Sequence, residues 1–171
     1  DEIKERCIKE NQAFFYAPNF SIGMNIMFML NKQLAKITEK YNYKLSLTET
    51  HHIHKLDKPS GTAVKLAEDI LENNNNYKLW TLNECTIDNE QLTIDDVLPI
   101  EAIRKGDVFG IHEIKAESDC DIIQLRHEAF SRKGFATGAV IAAEFLLGKK
   151  GIYTMNDLLG AELQDMQLDA M

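Results

Sequence analysis

Hydrophobic and polar positions along the chain switch repeatedly between helical and extended spacing. Ile3, Cys7 and Ile8 put an apolar stripe on a short opening helix, and the aromatic run "AFFYA" at residues 13–17, closed by Pro18, reads as a buried strand. Asn19 and Ser21 are capping residues for a second helix. Its stripe is Ile22, Ile26, Met29, Leu30, Leu34 and Ile37, and the neighbouring Met24 and Met27 read as core. Residues 43–49 alternate Tyr43, Leu45 and Leu47 with Lys44, Ser46 and Thr48, the period-two pattern of a half-buried strand. Val64, Ala67, Ile70 and Leu71 then mark a third amphipathic helix, which the asparagine run at residues 73–76 stops in a surface loop. Residues 97–104, 107–116 and 120–129 are rich in Ile, Val, Leu and Phe and are divided by Lys105-Gly106 and Ser118-Asp119. That spacing predicts consecutive antiparallel strands. An apolar helix after Ser131 ends at Gly148, with Lys149 and Lys150 beyond it. The sum is an α+β chain: a mixed or antiparallel open sheet with flanking helices.

Composition narrows the picture without changing it. With 171 residues and 44% apolar content, the chain can build an ordinary core, which excludes disordered and fibrous classes. A formal charge of -8 opposes nucleic acid and anionic lipid, and no basic patch relieves it. Cys7, Cys85 and Cys120 are odd in number and widely spaced, the usage of reduced thiols in a cytoplasmic protein. The apolar run at residues 135–147 is broken by Thr137, Gly138 and Glu144 and falls short of the roughly 20 residues that span a bilayer. The start, "DEIKERCIKENQ", carries no Met and has the pattern of a mid-chain helix, so a domain or fragment is expected.

Chemistry concentrates in "ETHHIHKLDKPSGTA", residues 49–63, which holds three of the five histidines. If the strand stays extended through it, His51, Ile53 and Lys55 share one face and His52 and His54 the other. Pro59-Ser60-Gly61-Thr62 is a turn that lets backbone approach a ligand. Ser60 or Thr62 caps the next helix, and free amides at that helix start, with Lys55 nearby, suit a carboxylate or phosphate. His51 adds a group that titrates near neutrality. Acid chemistry on an anionic substrate is the inference. Two rival readings accompany it. A histidine at a strand end is commonly a satisfied half-buried residue, and His52 and His54 with Glu49 or Asp57 would form a zinc set, although no downstream ligand cluster completes it and Lys55 opposes a cation. His112 and His127 read as structural or interface residues on sheet strands.

The same stretch resembles the signature of the 4-hydroxy-tetrahydrodipicolinate reductase (dihydrodipicolinate reductase) family, and "APNFSIGMN" at 17–25, "IRKGDVFGIHE" at 103–113 and "SRKGFATGAV" at 131–140 follow in the family's order. The resemblance runs from the first helix to "YTMNDLLG" near the end. It implies an NADH- or NADPH-dependent reduction of a cyclic imine dicarboxylate in lysine and diaminopimelate biosynthesis. By the same resemblance His51 is the general acid, Lys55 binds a substrate carboxylate and shares in proton transfer, and His52 lies beside the substrate. Ser60, Gly61 and Thr62 hold the second carboxylate. Ala17, Asn19 and Phe20 match the loop at the nicotinamide, and Arg132 and Phe135 match the return toward the cofactor domain. No metal is implied, and a homotetramer built through the sheet is.

The chain departs from that pattern in one respect. The family's nucleotide-binding half opens with a glycine-rich phosphate turn, and no G-x-G-x-x-G or related turn occurs in the 171 residues. The resemblance accordingly divides the chain into residues 1–20 as the end of a dinucleotide-binding domain, 21–131 as a substrate-binding and tetramerisation domain, and 132–171 as the return to the first. The second reading is a non-catalytic dicarboxylate-binding and oligomerisation fragment.

Overall fold

A computed structural model describes residues 2–82 and 93–160. Cys85 lies outside the described residues; Cys7 is a buried free thiol and Cys120 an exposed one. The chain divides into two compact units, residues 1–26 with 132–171, and residues 27–131.

In the first unit, α1 (Glu2–Lys9) leads to β1 (Ala13–Phe15), which pairs in parallel with β7 (Gly151–Tyr153) near the end of the chain. Both strands bury aromatic surface. Phe15 packs at 5.9 Å from the Phe20 ring and edge-on at 6.3 Å from Phe145 of α4 (Lys133–Phe145), and Tyr153 meets Phe145 at 5.5 Å. Gly138 in α4 is a packing requirement, since a Cβ there would lie 1.7 Å from the Phe20 carbonyl oxygen. Helix α4 closes with Gly148 at φ +73°, and Lys149 folds its ammonium over the Phe145 ring at 4.3 Å.

The second unit is a five-stranded sheet of order β3-β4-β2-β5-β6, formed by β2 (Lys44–His51), β3 (Leu79–Leu82), β4 (Val97–Arg104), β5 (Ile111–Glu117) and β6 (Ile122–Glu128). Its helical cover includes α2 (Ile22–Thr38), which begins in the first unit, and α3 (Gly61–Asn73). The open mixed sheet predicted from the apolar runs is present, but two of its details differ. Strands β4 and β5 are not neighbours: β2 lies between them, parallel to β4 and antiparallel to β5. Apolar runs bounded by Gly show that strands exist, not which strand each one pairs with. Strand β3, unforeseen in the periodicity, pairs in parallel with β4.

Helix α2 also turns another face inward than its Ile/Leu stripe suggests. Ile26, Leu30 and Ile37 are exposed, whereas Met24, Met27, Asn31, Ala35 and Thr38 are buried. The cause is close helix packing: Asn31 Nδ2 donates to the Leu66 carbonyl of α3 at 2.9 Å, and Asn74 Nδ2, at the end of α3, donates to the Ala35 carbonyl at 3.0 Å. Small and amide side chains permit that approach and satisfy buried backbone oxygens, which Ile cannot. Asn74, read from sequence as part of a surface loop, is therefore 1% exposed.

Candidate functional site

The site grows from the strict alternation of β2. Leu45, Leu47, Glu49 and His51 all face the buried side, so the apolar pattern that begins the strand carries an acid and an imidazole into the interior at its end. Register does the rest. His51 lies opposite Arg104 on β4, and Glu49 opposite His112 on β5, which in turn lies opposite His127 on β6.

Glu49 is the centre of this group and its side chain has no solvent exposure. Its Oε1 accepts from Arg104 Nη2 at 3.0 Å and from the Ser60 backbone N–H at 3.1 Å. Its Oε2 lies 2.7 Å from His51 Nδ1, a close contact that is not aligned as a linear hydrogen bond. Burial alone would raise the Glu49 pKa, but the contacts with His51, Ser60 and Arg104 outweigh it and hold the carboxyl at about 2. His112 is pushed down to about 3, first by burial and then by the charge of His51, so it sits in the fold as a neutral ring. Its Nε2 is 3.3 Å from Ser60 Oγ, and its ring meets His51 edge-on at 5.1 Å.

Strand β2 stops at His51, and this changes how Lys55 is placed. Residues 53–54 form a turn in which the Lys55 N–H donates to the His52 carbonyl at 3.1 Å, so Lys55 is positioned by chain reversal and not by alternation along an extended strand. Its Nζ pairs with Asp57 Oδ1 at 2.8 Å, and its charge is felt at His112. His52 is half-buried and His54 exposed, with rings 6.2 Å apart. Among the described residues the His52/His54 zinc set is not assembled, and the three groups that do converge are Glu49, His51 and His112, with ligand atoms within 4.8 Å of one another. Arg104 already supplies the counter-charge a cation would bring there.

Ser60 is the N-cap of α3, its Oγ accepting from the Ala63 N–H at 3.2 Å. Gly61 and Thr62 follow as the first helical residues, whose amides have no intrahelical acceptor, and a Cβ on Gly61 would point into open space. Gly110 matters for the opposite reason. A Cβ there would stand 3.0 Å from His51 Nε2, so its absence leaves that nitrogen uncovered on this side. In the other unit Asn19 Oδ1 accepts from the Ser21 N–H at 2.9 Å, the Asn19 carbonyl accepts from Asn25 Nδ2 at 2.8 Å, Ala17 and Phe20 are half-buried, and Arg132 and Phe135 are exposed at the start of α4.

The family model described as "Dihydrodipicolinate reductase, C-terminus" matches residues 23–159, nearly the whole described chain. The chain belongs to the dihydrodipicolinate reductase C-terminal family. Known relatives agree: the 4-hydroxy-tetrahydrodipicolinate reductase of Christiangramia forsetii is 46% identical over 159 residues, covering 92% of this chain and 63% of the relative. Those of Methanopyrus kandleri and Aquifex aeolicus are each 38% identical, covering 84% and 94% of this chain but 51% and 58% of their own lengths. A solved structure, dipicolinate-bound dihydrodipicolinate reductase from Paenisporosarcina, matches with a TM-score of 0.70 at 25% identity, over 90% of this chain and 57% of that one. This family member therefore spans a little over half the length of the relatives it matches. Sequence reasoning missed Arg104 and the central part of Glu49. The signal for Glu49 was present, since an acid in phase with Leu45 and Leu47 must be buried and therefore partnered.

Proposed function

We propose that this chain carries the dicarboxylate site of an NAD(P)H-dependent reductase that converts 4-hydroxy-tetrahydrodipicolinate to tetrahydrodipicolinate in lysine and diaminopimelate biosynthesis. The observation that carries the proposal is the convergence at one strand end of a buried imidazole backed by a carboxylate, the turn that presents Lys55, and a Ser60-capped helix with free amides. In this reading Lys55 exchanges its Asp57 partner for one substrate carboxylate. The amides of Gly61 and Thr62, with the Ser60 turn, receive the second, as helix N-termini favour anions. His52 flanks the ring. His51, with Glu49 behind its ring, is the general acid that supplies the proton balancing hydride addition and loss of the 4-hydroxyl as water, and Lys55 shares in that transfer.

NADH or NADPH would supply the hydride, with Ala17, Asn19, Phe20, Arg132 and Phe135 as the residues of this chain that flank the cofactor. The 171 residues contain no glycine-rich phosphate turn to cradle a pyrophosphate, so they do not fit the whole cofactor. The division into residues 1–20, 21–131 and 132–171 as cofactor, substrate and cofactor segments belongs to the same proposal, as does a homotetramer built through the sheet. The exposure of Ile122 and Ile123 on edge strand β6 is in keeping with burial against another copy.

Calorimetric titration of the chain with pyridine-2,6-dicarboxylate tests the site. Saturable binding that is lost in Lys55→Ala is expected; failure of the unaltered chain to bind would overturn the proposal. Oxidation of NADPH by the chain with the imine substrate separates the reductase from the second reading, a non-catalytic dicarboxylate-binding module, which the missing glycine turn favours for these 171 residues acting alone.

A further inference from the structure

The proposed chemistry uses groups from two places: a strand end that holds His51, and a following loop, residues 52–60, that holds Lys55 and starts the amide-bearing helix. We infer that Arg104, through Glu49, is the positioning residue that locks this loop to the catalytic strand and so sets the distance between proton donor and carboxylate cradle. The inference rests on the dicarboxylate reading and adds a residue and a role that the reading does not contain.

Among the described residues Arg104 makes four hydrogen bonds, three of them beyond its own neighbours in sequence. Nε donates to the Lys55 carbonyl at 3.2 Å, Nη2 donates to the Asp57 carbonyl at 2.5 Å and to Glu49 Oε1 at 3.0 Å, and Nη1 donates to the Ile103 carbonyl at 2.8 Å. The planar fork thus reaches both carbonyls that flank Leu56, the residue between Lys55 and its ion-pair partner Asp57. Leu56 itself is 95% exposed and adds no apolar anchor there. Polar contacts hold it. Among the described residues, backbone bonds tie the loop at its start, where the Ile53 N–H donates to the Gly106 carbonyl at 3.1 Å, and Glu49 ties it at its end through the Ser60 N–H. Arg104 supplies the middle.

The pair also makes each partner tolerable. Glu49 is fully enclosed, and a lone carboxylate there would be severely destabilised by loss of water; the guanidinium neutralises it and leaves Oε2 facing His51. One carboxylate therefore touches the proposed acid, the clamp and the helix start at once. Register places the clamp: Arg104 is directly opposite His51 in the parallel β2–β4 ladder. A lysine at this position would keep the charge and lose the fork, since one ammonium cannot satisfy two carbonyls and a carboxylate in the same directions.

Arg104→Lys in the 171-residue chain is the test, read by titration with pyridine-2,6-dicarboxylate, by the thermal midpoint, and by amide exchange of residues 53–58. The expected result is a midpoint close to that of the unaltered chain, a dissociation constant raised about tenfold or more, equivalent to about 1.4 kcal/mol, and faster exchange confined to the loop that saturating dicarboxylate suppresses. Unchanged affinity with unchanged loop exchange would overturn the inference while leaving the dicarboxylate reading intact. Absence of binding by the unaltered chain would instead sink that reading and this inference with it. Should Arg104→Lys fail to fold, the charge-balanced Glu49→Gln/Arg104→Gln chain gives the same readouts, and its retention of full affinity and loop protection would count against the clamp.

Discussion

Acidification should destabilise the sheet unit through His112 before any carboxylate in the site is protonated. The sign follows from the depressed pKa. The unfolded chain binds a proton on this imidazole near 6.5 and the folded chain only near 3, so between those values the unfolded state holds the extra proton and stability falls as pH falls. One proton is worth about 1.4 kcal/mol per pH unit, which gives a loss of about 2 kcal/mol from His112 on going from neutrality to about pH 5. Glu49 does not contribute in that window. Its carboxyl is depressed from 4.5 to about 2, so the stability it supplies is present above 4.5 and is lost only as pH drops below that value toward 2. Trp80 is the single tryptophan and lies on β3 of the same sheet, so its fluorescence reports this unit directly. Urea unfolding followed at Trp80, near pH 7.5 and near pH 5, should show the unaltered chain losing about 2 kcal/mol more than His112→Gln does. Equal losses in the two proteins would refute the assignment of His112 as a neutral buried ring.

Two further outcomes follow from the geometry. Gly138→Ala drives a methyl into the Phe20 carbonyl, a backbone atom that cannot swing away, and should cost about 3 kcal/mol or more in a thermal melt of the chain; a neutral effect would show that the α4 contact is looser than described. In reductase assays of a full-length enzyme that follow NADPH absorbance, the proposed roles predict that His51→Ala and Lys55→Ala each lower turnover about 100-fold or more, the usual worth of a positioned acid, and unchanged rates there would remove both from the mechanism.

Much of this was readable from residues alone, and the failures have physical causes. The alternation of Leu45 and Leu47 located β2, and the Pro59-Ser60-Gly61-Thr62 turn located the start of α3 while leaving Ser60 and Thr62 both open as its cap, because each is decided by neighbours in sequence. The stripe does not give the buried face of α2 because Ile, Leu and Met occur on several sides of that helix, and the inward choice went to Asn31 and Ala35, which hydrogen-bond to α3 and its end, and to Thr38, whose hydroxyl donates to the Leu34 carbonyl of its own helix. Lys55 was matched to His51 by assuming that the strand continued, whereas the chain turns after His51. Arg104 stayed hidden because its significance depends on β4 lying parallel to β2, a long-range pairing that periodicity does not encode.

The central place of β2 has a practical consequence. Because β4 delivers Arg104 and β5 delivers His112 to the same two residues of β2, slippage of either neighbour by one position would turn its contribution to the far side of the sheet. On the proposed dicarboxylate site, a molecule that captures pyridine-2,6-dicarboxylate tightly must have zipped both ladders correctly. Under that proposal ligand capture would serve as a quality-control gauge for variants of this chain, sorting properly assembled molecules from compact but misregistered ones.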